Sequence, residues 1–149
     1  MAHHLRRQIR EAVASAVTGL TTTGSRVFQS RLYPLAETDL PCLLLRTQSE
    51  SSESVSLPAP RLLQRTLRLH VTAVARAVDD LDDTLDLICQ EVEAALAMPC
   101  AALGGVAKLI TLSGTEIDLR GESEQPIGQA DMAFDVVYMA AENAPDVAY

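Results

Sequence analysis

The sequence has no tryptophan, only five aromatic residues, a single lysine and three cysteines in 149 positions. Each scarcity excludes something. Five aromatics are too few to stack unpaired bases along a strand, and a pI near 4.7 argues against a nucleic-acid surface even though arginine is plentiful. Cys42, Cys89 and Cys100 are odd in number and lack C-x-x-C spacing. That fits a reducing compartment and small buried hydrophobes better than disulfides or a zinc site. No stretch approaches the ~20 apolar residues that a membrane span needs. The opening His3-His4-Leu5-Arg6-Arg7 has no apolar signal core. Neither secretion nor membrane insertion is expected, and synthesis in the cytoplasm is.

What is present suits one domain. The chain is 48% apolar and 21% charged, and at this length folding buries roughly 70% of the unfolded surface. The net charge of −8 is unevenly held. Residues 1–76 carry ten arginines against five acids, whereas residues 77–149 carry Lys108 and Arg120 against fifteen acids, so the halves are +5 and −13. Such a split is resolved either by folding one half onto the other or by setting the basic face of one copy against the acidic face of the next.

Leu5, Ile9, Val13, Ala16, Val17 and Leu20 recur at helical spacing and predict an amphipathic helix over about residues 3–19, ending at Gly19. After the Thr21-Thr22-Thr23-Gly24 linker, residues 26–33 read as a strand stopped by Pro34, and residues 41–48 as a short buried strand. Residues 49–60, with five serines, two glutamates and two prolines, predict a mobile loop. In residues 61–76, Leu63, Leu67, Leu69, Val71, Ala73 and Ala75 alternate with Gln64, Thr66, Arg68, His70, Thr72 and Arg76. Fully extended, that strand would span on the order of 50 Å against a usual ~17–20 Å, which predicts a hairpin projecting beyond the body.

Asp79-Asp80-Leu81-Asp82-Asp83 is a helix start with an aspartate cap and acids in the first turn, followed by Leu81, Leu85, Ile88, Val92, Ala95 and Leu96 on one stripe. The helix runs to about Met98, where Pro99 ends it. Residues 107–120 read as a strand. The last strand alternates Met132, Phe134, Val136 and Tyr138 against Asp131 and Asp135, before a loose tail from residue 140. The order is α-β-β-β-α-β-β. An α+β domain over residues 1–149 follows, with an antiparallel or mixed sheet of about five strands and two main helices packed on it.

Chemistry-bearing motifs are few. His3 and His4 lack a second ligand pair, phosphate-loop and dinucleotide signatures are missing, and no G-x-S-x-G elbow occurs. The acids of residues 79–86 lack the ligand order and glycine of a calcium loop. His70 could act as a general base with Asp131 or Asp135, but a cross-strand pair with one of them is the simpler expectation. No enzyme activity, metal or cofactor is expected.

Several segments resemble the tail terminator proteins of long-tailed bacteriophages, of the lambda minor tail protein U type. They are His4-Leu5-Arg6-Arg7-Gln8-Ile9-Arg10, Arg31-Leu32-Tyr33-Pro34-Leu35, Asp79-Asp80-Leu81-Asp82-Asp83-Thr84-Leu85-Asp86, Ser113-Gly114-Thr115-Glu116 and Gln125-Pro126-Ile127-Gly128. The resemblance implies a non-enzymatic virion protein, made in the host cytoplasm, that forms a ring, usually a hexamer, on the tail tube. Its partners would be copies of itself, the tail tube protein and the head-completion protein of the neck, with DNA only as cargo and no membrane. On that reading the charge split makes Arg6, Arg10, Arg65 and Arg68 candidate intersubunit or inter-ring contacts, with Asp82, Asp83, Asp86 and Glu93 as complementary acids. Glu50, Glu53, Val55 and Leu57 become a candidate partner-binding loop.

Overall fold

The computed structural model describes residues 3–30, 37–76, 80–97, 103–120 and 127–149. Its elements run α1 (Leu5–Ala16), β1 (Val27–Gln29), β2 (Cys42–Ser54), β3 (Leu62–Arg76), α2 (Leu81–Leu96), β4 (Leu109–Arg120) and β5 (Ile127–Ala141), with one 3-10 turn at Glu37–Asp39. The expected order holds. The strands form one mixed sheet in the order β1-β2-β3-β5-β4, in which only β1 and β2 run parallel. Both helices cover one face. Leu5, Ile9, Val13, Leu85, Ile88, Val92 and Leu96 pack there on Leu43, Leu45, Leu67, Leu69, Val71, Met132, Phe134 and Val136, all of them buried. None of the described helices is long and apolar enough to cross a membrane.

The helices are slightly shorter than the periodicity suggests. His4, rather than a hydroxyl or a carboxylate, caps α1 by accepting the Arg6 backbone N–H at its Nδ1, 3.1 Å away. Burial and the neighbouring Arg6 hold the His4 pKa below its usual range, which keeps that nitrogen free of a proton. Asp80 stands at the N-cap of α2, but with φ of 62° it makes no side-chain cap bond, so the acids that favour the helix dipole are Asp82 and Asp83. Asp79, Met98, Pro99, Cys100 and the end of the expected 26–33 strand lie outside the described residues.

Three expectations are corrected. Residues 49–54 belong to β2, where they pair with β3 from Ser49↔Arg68 to Ser54↔Leu63, and only residues 55–61 turn the chain. A serine-rich stretch makes a strand here because β3 supplies the buried face and the ladder, so β2 needs little apolar surface of its own. The long hairpin is not a two-stranded projection either, since β5 pairs with β3 from Leu62↔Ala141 to Arg76↔Ile127. The C-terminal segment is bonded rather than loose. Pro145 O accepts the Leu5 N–H of the first turn of α1 at 2.9 Å, Asp146 O accepts from Gln8 Nε2 at 2.9 Å, and Met139 O accepts the Tyr149 N–H at 3.0 Å. A helix N-terminus has unpaired amides to satisfy, and this tail takes one of them.

Register irregularities decide what faces where. In β2, Leu43, Leu45 and Thr47 lie opposite Ala73, Val71 and Leu69 on the helix face, and then the register shifts between Thr47 and Ser49. The extra residue, Gln48, reverses the alternation, because a one-residue slip moves every following side chain to the other face. Glu50 therefore lies opposite Leu67 on the helix face, while Ser49, Ser51 and Glu53 go to the open face. A second shift interrupts β4 between Leu112 and Gly114.

Candidate assembly surfaces

The charged residues of interest fall into four places. The first is under the helices. Glu50 has a side chain only 8% exposed and lies 3.3 Å from Arg65 Nη1 and 3.4 Å from Arg6 Nη1. Tyr138, opposite Arg65 in the ladder, donates its hydroxyl to the other Glu50 oxygen at 2.5 Å. Burial, and then the Glu50 carboxylate, push the Tyr138 phenol up to about 12, so it stays a donor. Arg65 and Glu50 are thus committed within the subunit. Arg6, about half exposed, keeps part of its guanidinium in solvent.

The second place is the open face of the sheet. Arg68 stands opposite Asp135 and donates Nε to Oδ1 at 2.8 Å and Nη2 to Oδ2 at 3.4 Å. His70 Nδ1 meets Asp131 Oδ2 at 2.9 Å, Thr72 Oγ1 donates to Asp131 Oδ1 at 2.8 Å, and Arg46 Nη2 reaches Asp131 at 3.6 Å. His70 Nε2 faces Gln48 Oε1. Arg46, Gln48, Arg68, His70 and Asp131, together with Glu116, line a broad concavity of about 610 Å³. Of the two carboxylates open to His70, the structure selects Asp131, and Asp135 serves Arg68. Both imidazole nitrogens are engaged by protein side chains, Nδ1 by Asp131 and Nε2 by Gln48. Arg46 and Arg68 face carboxylates rather than forming the bare cationic stripe that phosphates would need.

Folding one half of the chain onto the other therefore resolves part of the charge split, since Arg46, Arg68 and His70 come from the basic half and Asp131 and Asp135 from the acidic half. The third place is α2, which carries the other candidate acids. Asp82, Asp83, Asp86 and Glu93 are all exposed, and among the described residues no arginine or lysine pairs with them. Asp86 and Glu93 stand one turn on either side of Cys89. Burial first, and then these two carboxylates, raise its thiol to about 11. On α1, Arg7 pairs with Glu11 at 2.8 Å and Arg10 is half-buried. Among the described residues no group of three His, Cys, Asp or Glu side chains could hold a metal ion.

The fourth place is the turn between β2 and β3. Ser54 Oγ donates to Ser56 O, and Ser56 Oγ accepts the Leu62 N–H, both at 2.8 Å. This local closure holds Val55 and Leu57 out in solvent, with Leu57 91% exposed. Glu53 is also exposed, on the open face, whereas Glu50 points inward and takes no part in the tip.

Arg46, Gln48 and Tyr138 escape the sequence reading. Arg46 follows three leucines in what reads as a buried strand, and Tyr138 continues an apolar alternation. No residue type marks Gln48 as the bulge. The only trace is that the apolar side chains of β2 stop at Leu45, which leaves the phase of residues 49–54 undefined.

No protein-family model matches the chain, and no curated protein matches it either. Solved structures do match, including a chain of the virion of a native gene transfer agent particle, with a TM-score of 0.53 and 13% identity over 92% of each chain. At that identity the likeness shows a shared fold, extending over nearly the whole of both molecules.

Proposed function

We propose that this protein is a non-enzymatic structural subunit of a phage-like particle, a tail terminator that assembles as a ring, six-membered by resemblance, on the end of the tail tube. There it stops tube polymerisation and presents a surface to the head-completion protein of the neck. The observation carrying this reading is the fold shared end to end with a virion chain, taken with segments along the chain that resemble tail terminators. A ring built head to tail uses two different patches on each subunit. The acidic ridge Asp82, Asp83, Asp86 and Glu93 supplies one patch, and the exposed parts of Arg6 and Arg10 supply cationic groups for the other. The apolar tip Val55 and Leu57, with Glu53 beside it, is held for contact with the tube or the neck.

The reading is tested in two steps. Asp82→Arg with Asp83→Arg should lower the native mass of the assembled protein and flatten its dependence on salt; an unchanged mass across a salt series removes the acidic ridge from the interface. Val55→Ser with Leu57→Ser should leave the ring intact and impair joining of tails to heads. Normal yields of infectious particles from that variant remove the tip from the partner surface.

A further inference from the structure

Among the described residues the sheet has two long free edges, at opposite ends of one strand order. β4 is the last strand on one side and pairs only with β5. On the other side, among the described residues β1 covers only Leu43–Leu45 of β2, so residues 46–54 form an edge of their own. The backbone phase of each edge follows from bonds at its ladder ends. Glu142 N–H donates to Arg61 O just beyond the β3–β5 ladder, and Met139 O turns to Tyr149 N–H instead. Odd-numbered residues of β5 thus aim their backbone groups at β4, where their partners are Thr111, Gly114, Glu116 and Asp118. The amides of Thr115, Ile117 and Leu119 point off the sheet. In the same way, Val55 N–H donates to Leu62 O, so Glu50, Ser52 and Ser54 point theirs off the β2 edge.

We propose that β4 of one subunit adds to the β2 edge of a second copy, at residues 46–54, as an antiparallel strand, making one continuous sheet around the ring. This rests on the ring reading above. The directions agree, because β2 and β5 run the same way and β4 runs against them. The faces agree as well. On both edges the outward amides belong to residues whose side chains lie on the helix face, so helices stay on one side across the joint. β1 stops the incoming strand at Arg46 and forces it toward the hairpin tip. That stagger sets Thr115–Leu119 against Thr47–Ser52, and a closed sheet requires a stagger of this kind. Ile117 and Leu119, about half exposed although they lie on the core face, then lie opposite Glu50 and Thr47 of β2, with Thr115 opposite Ser52. An edge of this length left bare would be a standing site for indiscriminate pairing.

Thr115→Pro and Ser52→Pro each remove one outward amide without touching the subunit's own ladders, as edge positions allow. Each variant alone should be monomeric by native mass at concentrations where the unmodified chain is a ring. Mixed together, the two should give a dimer and nothing larger, because each retains one working edge. Hydrogen exchange on the unmodified chain provides a check that needs no variant: the Thr115, Ile117, Glu50 and Ser52 amides should be protected in the assembled form and exchange freely after dilution. Variants that keep the ring mass, or those amides exchanging freely in an intact ring, overturn the strand joint and leave the ring reading standing. An unmodified chain that stays monomeric up to near-millimolar concentration overturns the ring reading and the joint with it.

Discussion

The two faces of the sheet use the same strands for opposite ends. On the helix face, alternate residues of β3 and β5 are apolar and fully buried, from Leu67 to Ala75 and from Ala130 to Ala140. On the open face, the residues between them make a charged lattice of Arg46, Arg68, His70, Asp131 and Asp135. The period of two assigns folding to one face and leaves the other for polar contacts. The exception is Glu50, a carboxylate placed on the helix face by the Gln48 bulge, where Arg65, Arg6 and Tyr138 receive it. A bulge can therefore move a charge from the solvent side to the core side without any change in composition.

The contrast is broken most severely at that exception. Glu50→Ala leaves Arg65 and Tyr138 in place without their acceptor and should cost roughly 3–5 kcal/mol, the usual penalty for removing one partner of a buried pair, read by urea unfolding. Tyr138 also gives the fold a dependence on alkaline pH, through its burial first and the Glu50 carboxylate second. Because the Tyr138 phenol is raised from 10.0 to about 12, its contribution is complete below pH 10 and is lost as pH rises toward 12. Tyr138→Phe should flatten stability against pH across that window, and an unchanged slope would show that the phenol contributes nothing there.

A smaller effect is expected where the helix face is tightest. A Cβ at Gly128 would stand 2.8 Å from Leu119 Cδ2 and 2.9 Å from Leu81 Cδ2. Gly128→Ala should destabilise by roughly 1–3 kcal/mol, as overpacking does, with the half-exposed Leu119 displaced toward solvent. The smallest effect belongs to the open face. Arg68 and Asp135 are 41% and 32% exposed, and a double-mutant cycle should give a coupling of roughly 0.2–1 kcal/mol that shrinks with added salt. A coupling as large as the Glu50 penalty would erase the distinction between the faces.

How much of this was legible in the sequence follows the same division. The apolar stripes of α1 and α2 and the alternation of β3 and β5 are periodic, so element order, fold class and the packed face could all be read. His70 with an aspartate of the last strand was also within reach, because both lie on polar faces of alternating strands. The distal half of β2 was not, since Ser49, Ser51, Ser52 and Ser54 carry no hydrophobic period and their strand state comes from β3. Nor was the inward turn of Glu50, which depends on a register shift that Gln48 does not announce. The bonds of Pro145 and Asp146 to α1 are carried by backbone carbonyls, which any residue has.

If this chain ends a tail tube, as proposed, tube length depends on it. Tube subunits polymerised in its presence should give tubes of bounded length with a ring at one end by electron microscopy, whereas omitting it, or supplying it as Thr115→Pro, should give overlong tubes. Tubes of the same length distribution with and without the protein, and no density at either end, would contradict it.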